Sequence, residues 1–173
     1  MTQEDQDEYM AHIDEDDNVI AKVSRQEIRD KNLLHRGAVI LVLNYDKGFL
    51  IQKRRYDKKV YPGYFASGAG GCVLYDETYE QAATRELEEE LGIKDTNLNY
   101  LFSFSFSDQH TRAINKVYCC IYDGPIKIQQ EELSGYFWEP IDKVQDFIDR
   151  NMYGPDDKQI FRIFYEDHYR KGK

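Results

Sequence analysis

The chain has 173 residues, a length that suits one domain and allows a sizeable hydrophobic core to be buried. Its formal net charge is −9, and because proteins that bind long nucleic acids usually carry a basic excess, we exclude long nucleic acid as a partner. An apolar fraction of 41% excludes a disordered chain, and the longest apolar runs, such as AVILVL, are too short to cross a membrane.

The first predicted elements are a tail, two strands and a short helix. Residues 1–8 are polar and acidic, so we expect a flexible tail before a single domain over residues 9–173. Residues 9–23 predict two short strands joined by an acidic turn. Ser24, with Glu27 three positions later, then predicts the start of a short helix.

A strand hairpin and a loop are predicted next. The β-branched, apolar run from Ala38 to Leu43 predicts a buried strand, which the turn NYDKG joins to the returning strand FLIQK. The segment 57–71 is rich in glycine and contains Pro62, so it predicts a loop.

The second half of the chain predicts one strong helix, three strands and two closing helices. The helix is DETYEQAATRELEEELGI, in which an apolar stripe recurs at helical spacing and Gly92 gives a C-terminal stop. The strands are YLFSFSFS, KVYCCIYDG and LSGYFWEPI, and the helices are IDKVQDFIDRN and DDKQIFRIFYEDHYRK. This order predicts an α/β (α+β) fold, in which helices cover both faces of a mixed β-sheet.

The three cysteines are Cys72, Cys119 and Cys120. Their odd number, the lack of a spaced framework and the lack of a recognisable signal peptide predict reduced thiols in the cytoplasm. Neighbours in a strand point to opposite faces, so Cys119 and Cys120 are not a natural metal pair. We expect all three to be packing residues.

Four glutamates crowd the stretch RELEEELGI. Glu86, Glu89 and Glu90 are spaced i, i+3 and i+4, which places their carboxylates on one helix face, opposite Leu87 and Leu91. Like charges at this spacing destabilise a helix, but a hard divalent cation such as Mg²⁺ would reverse that penalty. On these residues alone, a solvated acidic face is the favoured interpretation, because most glutamate-rich helical stretches are of that kind.

The residues upstream and downstream decide between the two. Gly71 is followed after five residues by Glu77, and after seven more by Arg85-Glu86 and the rest of RELEEELGI. This spacing resembles the Nudix box, G-x5-E-x7-R-E-U-x-E-E-x-G-U with U aliphatic, and every fixed position is filled. The stretches LLHRGAVILVLN, LIQKRRYDKKVYPGYF and GAGGCV resemble the Nudix branch related to isopentenyl-diphosphate isomerase. The resemblance covers about residues 9–140.

The resemblance implies a Nudix fold, an α/β/α sandwich, and a hydrolase that depends on Mg²⁺, with Mn²⁺ as a substitute. Its substrate would be a small-molecule diphosphate, such as a nucleoside diphosphate derivative. Glu86, Glu89 and Glu90 fall on the metal-binding positions, and one of them can also orient the attacking water. Arg85 and Glu77 fall on supporting positions, where a salt bridge holds the loop onto the helix. Gly71 lets the loop backbone pass close to the metal.

Further site residues are implied outside the box. Glu132 lies where several relatives place a loop glutamate that acts as a metal ligand or general base, although a solvated acid beside Glu131 is the alternative. Arg54 and Lys58 match positions that hold the substrate diphosphate, and arginine suits bidentate contact with phosphate. The resemblance also makes a homodimer an expectation.

Two other functions remain as alternatives. One is a Nudix module that binds a nucleotide without catalysis, which a degenerate box would favour and this intact box does not. The other is the isomerase, whose catalytic cysteine position falls on Gly70 and whose catalytic glutamate position falls on Lys116. A metal-binding histidine position of the isomerase falls on Cys72. With these acid–base groups absent, isomerisation is the least favoured function.

Overall fold

The computed structural model describes residues 8–172. The predicted tail, residues 1–8, therefore lies outside the described residues except for Glu8. The Glu8 carbonyl accepts a hydrogen bond from the Arg25 amide at 2.9 Å, and its carboxylate pairs with the Arg25 guanidinium at 2.5 Å. Glu8 is thus attached to the folded part of the chain.

Residues 8–172 form nine β-strands and four α-helices. The strands are β1 Tyr9–Ile13, β2 Val19–Ser24, β3 Leu34–Asn44, β4 Gly48–Arg54, β5 Phe65–Ser67, β6 Ala69–Cys72, β7 Asn99–Ser107, β8 Arg112–Ile121 and β9 Leu133–Glu139. The helices are α1 Arg25–Lys31, α2 Tyr79–Leu91, α3 Val144–Arg150 and α4 Pro155–Ile163. Short 3₁₀ turns lie at Ile141–Lys143 and Arg170–Gly172, and α4 continues as a π-helical segment, Phe164–Tyr169. None of the helices in this part of the chain is long and apolar enough to cross a membrane.

Seven strands form one mixed sheet. Its order is β5-β4-β3-β8-β7, with β6 also paired to β3 and β9 also paired to β4. The strand pair β3–β8 is parallel, and the other pairs in the sheet are antiparallel. The hairpin β1–β2 stands apart from this sheet and packs Ala11 and Ile13 against Leu34 and Ile114.

Helices cover both faces of the large sheet, as the sequence predicts. On one face, α2 buries Ala82, Ala83, Leu87 and Leu91 against apolar side chains of β3 and β4. On the other face, α3 and α4 pack Ile148, Ile160 and Phe161 against Phe49 and Ile51. Cys120 lies in the first cluster and Cys119 packs against the second, so the adjacent thiols point to opposite faces. The α+β sandwich is therefore confirmed.

The segment 57–71 is the main departure from the predicted elements. It is predicted as a loop but contains β5 and β6, which Gly68 separates at a φ of 57°. Small residues make this pairing feasible, because Ala69, Gly70 and Gly71 lie directly against β3. The closing helix also differs. It starts earlier, at Pro155, where a missing N–H costs nothing, and changes its hydrogen bonding after Ile163.

Both ends of α2 are fixed by caps. The Thr78 hydroxyl accepts from the Gln81 amide at 3.2 Å, and the Gln81 side chain accepts from the Thr78 amide at 2.8 Å. This capping box satisfies two backbone donors that the first helical turn leaves free. At the other end, Gly92 adopts a φ of 68° and its amide donates to the Glu88 carbonyl. The caps fix where each glutamate of α2 points.

We predict that Thr78→Ala lowers the free energy of unfolding by about 1 kcal/mol, because the N-cap acceptor is lost. Urea denaturation followed by circular dichroism measures this change. Thr84→Ala is the matched control, because Thr84 is an exposed residue within the same helix. Alanine has the higher helix propensity there, so the control should be neutral or slightly more stable. Equal stability of Thr78→Ala and wild type would show that the cap contributes nothing.

Candidate active site

Arg85 joins the loop after β6 to the helix α2. Its Nε and Nη2 donate to the two carboxylate oxygens of Glu77 at 2.7 and 2.9 Å. Nη2 also donates to the Cys72 carbonyl at 3.0 Å. Nη1 donates to Glu86 at 2.7 Å and to Glu89 at 3.1 Å. The structure thus contains the loop-to-helix salt bridge that the Nudix resemblance implies.

Arg85 and Glu77 each stabilise the charged form of the other. Hydrogen bonds to Glu77 hold the pKa of Arg85 well above its usual value. Burial acts to raise the pKa of Glu77, but hydrogen bonds from Arg85 and from the Leu74 amide outweigh it and leave that pKa lowered. Both groups are therefore ionised at neutral pH, and the pair is a fixed part of the site.

The three predicted metal ligands occupy different environments. Glu89 is half exposed, whereas the Glu86 side chain is only 13% exposed and Glu90 is 4% exposed. Glu90 is buried together with Leu87 and Leu91, so the prediction that all three carboxylates lie opposite the leucines is wrong for Glu90. It lies at the edge of the apolar stripe, where the sheet covers it.

Glu90 is held by the sheet. Its Oε2 accepts from the Gly70 amide of β6 at 3.1 Å and from Nε2 of Gln52 of β4 at 3.3 Å. Burial, together with the nearby charge of Glu86, raises the pKa of Glu90 to about 8. Burial likewise raises the pKa of Glu86. Two neighbouring carboxylates are therefore desolvated in one site.

Gly71 makes room for Glu86. A Cβ atom at Gly71 would lie 2.2 Å from Oε1 of Glu86, which is closer than any non-bonded contact allows. A larger residue at this position would therefore push the Glu86 carboxylate out of its present place beside the loop backbone. This close approach gives a physical reason for the glycine that precedes the helix.

Two cationic side chains, Lys58 and Arg54, lie close to Glu90. The ammonium of Lys58 forms an ion pair with the Glu132 carboxylate. Arg54 lies at the end of β4, and its Nη2 donates to the Val60 carbonyl at 3.3 Å. The charge of Arg54 acts to lower the pKa of Glu90, and the charge of Glu132 acts to raise it. The structure thus brings the predicted substrate-binding residues and the predicted loop glutamate close to α2.

The chemistry of these donors fits a hard divalent cation such as Mg²⁺ or Mn²⁺. Carboxylate oxygens are the ligands that such ions prefer, and a cation would relieve the repulsion between Glu86 and Glu90. Over residues 8–172, no three His, Cys, Asp or Glu side chains already converge on one point. Glu86 and Glu89 are turned toward Arg85 instead. Binding a cation would therefore require these two carboxylates to turn from Nη1 of Arg85.

Several polar residues near the site are absent from the sequence predictions. Gln52 is buried in an otherwise apolar strand, which was a visible signal in GFLIQ. Tyr61 has a φ of 48°, and its hydroxyl donates to Asp108. Asp157 accepts from the Ser67 amide at 3.0 Å, and burial raises its pKa. These contacts join segments far apart in sequence, so spacing alone does not reveal them.

The isomerase positions are accounted for differently. His35, which lies in the stretch LLHRGAVILVLN, is buried, and its Nδ1 lies 3.0 Å from the Leu33 carbonyl. The Lys116 ammonium lies over the Tyr79 ring, 4.5 Å from its centre. Cys72, at the histidine position of the isomerase, forms a hydrogen bond with His35 that acts to lower the pKa of the thiol against the effect of burial, while Gly70 and Lys116 supply neither the cysteine nor the glutamate of that enzyme.

The fold and the box geometry define a Nudix protein, and the comparisons agree. The model of the NUDIX domain family matches residues 33–162, so the chain belongs to this family. A Pseudomonas aeruginosa protein described as an uncharacterized Nudix hydrolase is 36% identical over 161 residues, which are 92% of this chain and 94% of that protein. An isopentenyl-diphosphate Delta-isomerase of Serratia proteamaculans is 27% identical, over 84% of this chain and 83% of that enzyme.

Structural comparison supports the same fold. The crystal structure of DR0079 from Deinococcus radiodurans superposes with a TM-score of 0.80 at 24% identity, covering 91% of this chain and 99% of that one. At this level of identity the similarity shows the fold alone. The chain therefore has a known fold that agrees with its membership of the NUDIX domain family.

We predict that Arg85→Lys destabilises the metal-free protein by about 1–3 kcal/mol, because an ammonium cannot replace the fork that binds Glu77 and the Cys72 carbonyl together. Chemical denaturation in EDTA measures the change. Arg162→Lys is the matched control, since Arg162 is exposed and pairs only at the surface with Glu166. The prediction is wrong if both substitutions change stability equally little.

We also predict that the metal-free protein loses stability as pH rises from about 5 to about 8. In the unfolded chain Glu90 ionises near its ordinary pKa of 4.5, whereas burial holds its folded pKa at about 8, so the folded state binds the extra proton in this window. Urea denaturation at several pH values in EDTA measures the slope. Glu90→Gln should reduce the slope without removing it, since burial also raises the pKa of Glu86 and of Asp157, whereas Glu88→Gln, at an exposed glutamate of the same helix, should leave it unchanged. An unchanged slope in Glu90→Gln would contradict the assignment.

Proposed function

We propose that the protein is a Mg²⁺-dependent hydrolase, with Mn²⁺ as a substitute, that cleaves the diphosphate linkage of a nucleoside diphosphate derivative or a similar phosphorylated small molecule. The observation that carries this proposal is the pair of buried carboxylates, Glu86 and Glu90, beside the cations Arg54 and Lys58. An acidic surface next to a basic one suits a ligand that joins a cation to a phosphate group.

In the proposed reaction, the glutamates of α2 bind the cation, and Arg54 and Lys58 bind the diphosphate. A bound divalent cation neutralises phosphate charge and lowers the pKa of water. Glu86, Glu89 and Glu90 are the proposed ligands of that cation, and Glu86 or Glu89 also orients the attacking water. Arg85, which is fixed by its bonds to Glu77 and the Cys72 carbonyl, donates to Glu86 and Glu89 and keeps these two carboxylates near the cation site.

Arg54 and Lys58 are the proposed contacts of the diphosphate. Lys58 is paired with Glu132 in the absence of substrate, so phosphate would compete with this carboxylate for the ammonium. Release of Glu132 would leave it free to act as the general base or a further ligand. This exchange links substrate binding to the availability of the base.

The remaining expectations belong to this proposal. We expect a small-molecule partner rather than long nucleic acid or a membrane, a cytoplasmic location and a homodimer. A binding module without catalysis is the alternative, and it makes the same contacts without turnover. Isomerisation is disfavoured because Gly70 and Lys116 replace the two acid–base groups it needs.

We predict Mg²⁺-dependent product release from at least one member of a panel of nucleoside di- and triphosphates, nucleotide sugars and prenyl diphosphates. Products are separated by anion-exchange chromatography, and EDTA should abolish their formation. Glu89→Gln and Glu90→Gln should each lower kcat by about 100-fold or more, because the charge that holds the cation is reduced.

Glu88→Gln is the matched control, because Glu88 is exposed and pairs at the surface with Lys94. It should retain wild-type turnover. Unchanged turnover in Glu89→Gln and Glu90→Gln would sink the site assignment. Cation and nucleotide binding without release from any compound would favour the binding module.

A further inference from the structure

A buried glutamine stands in the sheet where an apolar residue would be expected. Gln52 is only 3% exposed and lies in the interior of β4, paired with Ala66 of β5 and Tyr136 of β9. Alternate residues of a strand share a face, so Gln52 faces α2 together with Leu50 and is not directed into the opposite core. Burying a primary amide in such a place is costly unless both ends are hydrogen-bonded.

Only one end of the amide is matched. Nε2 donates to Oε2 of Glu90 at 3.3 Å, and because the same oxygen also accepts from the Gly70 amide at 3.1 Å, it is the NH₂ group of Gln52 that faces it. The carbonyl oxygen, Oε1, is then directed elsewhere. Within residues 8–172, this oxygen is buried and has no hydrogen-bond partner. An unmatched buried acceptor of this kind calls for a partner that the protein chain does not supply.

A matching donor lies two residues further along the same face. Nε of Arg54 is also buried, and it too has no hydrogen-bond partner within the described residues. Residues two apart on a strand are separated by about 7 Å, so the acceptor and the donor flank one small region beside Glu90. The pair is complementary to a ligand that presents a donor to Gln52 and an acceptor to Arg54.

The chemistry of the proposed substrate separates the two roles. An ionised diphosphate offers acceptors only, so it can satisfy Arg54 but would be repelled by the oxygen of Gln52. A hydrated divalent cation offers the opposite, because its water molecules donate and Mg²⁺ keeps several of them when bound. The acceptor on Gln52 therefore fits the hydration shell of the cation.

We propose that Gln52 is a further residue of the cation site, whose Nε2 positions Glu90 and whose Oε1 accepts a hydrogen bond from a water molecule that hydrates the cation. This inference rests on the proposed function, since it requires that the glutamates of α2 bind a divalent cation. It adds a residue from β4, outside the G-x5-E-x7-R-E-U-x-E-E-x-G-U spacing, to the site.

The test is a titration of the substrate-free protein with Mn²⁺, followed by electron paramagnetic resonance and by calorimetry. Gln52→Met keeps a similar volume and removes both polar groups. We expect its Mn²⁺ dissociation constant to rise about tenfold or more, as for the loss of other outer-shell partners. Gln145→Met is the matched control, because Gln145 is exposed on α3 and bonds only to Asp149. It should bind Mn²⁺ like the wild type.

Gln52→Glu separates the two halves of the proposal. It keeps an acceptor oxygen but loses the NH₂ donor and places a third carboxylate beside Glu90, so the protein in EDTA should melt at a lower temperature. With Mn²⁺ present its affinity should return to within about threefold of the wild type, because the acceptor is restored. A merely structural glutamine would show neither the loss in Gln52→Met nor this recovery.

Each other outcome overturns the proposal. Wild-type Mn²⁺ affinity in Gln52→Met shows that Gln52 has no part in the site, and if hydrolysis by the wild type still needs Mg²⁺, the proposed function survives. Equally weak binding in Gln52→Met and Gln52→Glu shows that only the donor to Glu90 matters. No Mn²⁺ binding by the wild type removes both this inference and the cation of the proposed function.

Discussion

The site depends on one guanidinium that serves four acceptors. Arg85 binds the carboxylate of Glu77, the carbonyl of Cys72 and the carboxylates of Glu86 and Glu89. One positive charge cannot neutralise three carboxylates, and Glu90 accepts its hydrogen bonds from the sheet instead. The site therefore keeps an excess of negative charge. The apolar stripe of α2 and its two caps hold the helix in place despite this repulsion.

Arg54 and Lys58 give the site a positively charged side opposite the glutamates of α2. Arg54 is the last residue of β4, and Lys58 lies in the segment that follows. The strand whose Gln52 covers Glu90 therefore also carries the first of these cations. Without a ligand, the acidic and basic side chains partly neutralise one another. Lys58 forms an ion pair with Glu132, and the positive charge of Arg54 acts on Glu90. A ligand with a cation at one end and phosphate at the other would replace these internal partners. The acidic and the basic side chains thus already lie next to each other, as the two ends of such a ligand require.

The sequence predicts the parts of this site that lie close together along the chain. The bond from Arg85 to Glu77 follows from the spacing of the box, and the extent of α2 follows from its apolar stripe and Gly92. The burial of Glu90 could not be predicted in the same way. Helical spacing predicts that Glu90 points away from Leu87 and Leu91, whereas it is buried beneath Gln52 and Gly70, which reach it through strand pairing. The strand β6 itself was hidden because glycine and alanine give no β-branched signal.

The same pairing explains why this scaffold is unsuited to the chemistry of the isomerase it resembles. The cysteine position of that enzyme falls on Gly70, whose amide here donates to Glu90. A Cβ atom at Gly70 would lie 2.8 Å from the Ala38 carbonyl oxygen, so a cysteine cannot be accommodated unless the backbone of β3 or β6 shifts. Such a shift would also move the donor that holds Glu90. In this chain, the close approach of β6 to β3 and the hydrogen bond that holds Glu90 depend on the same glycine.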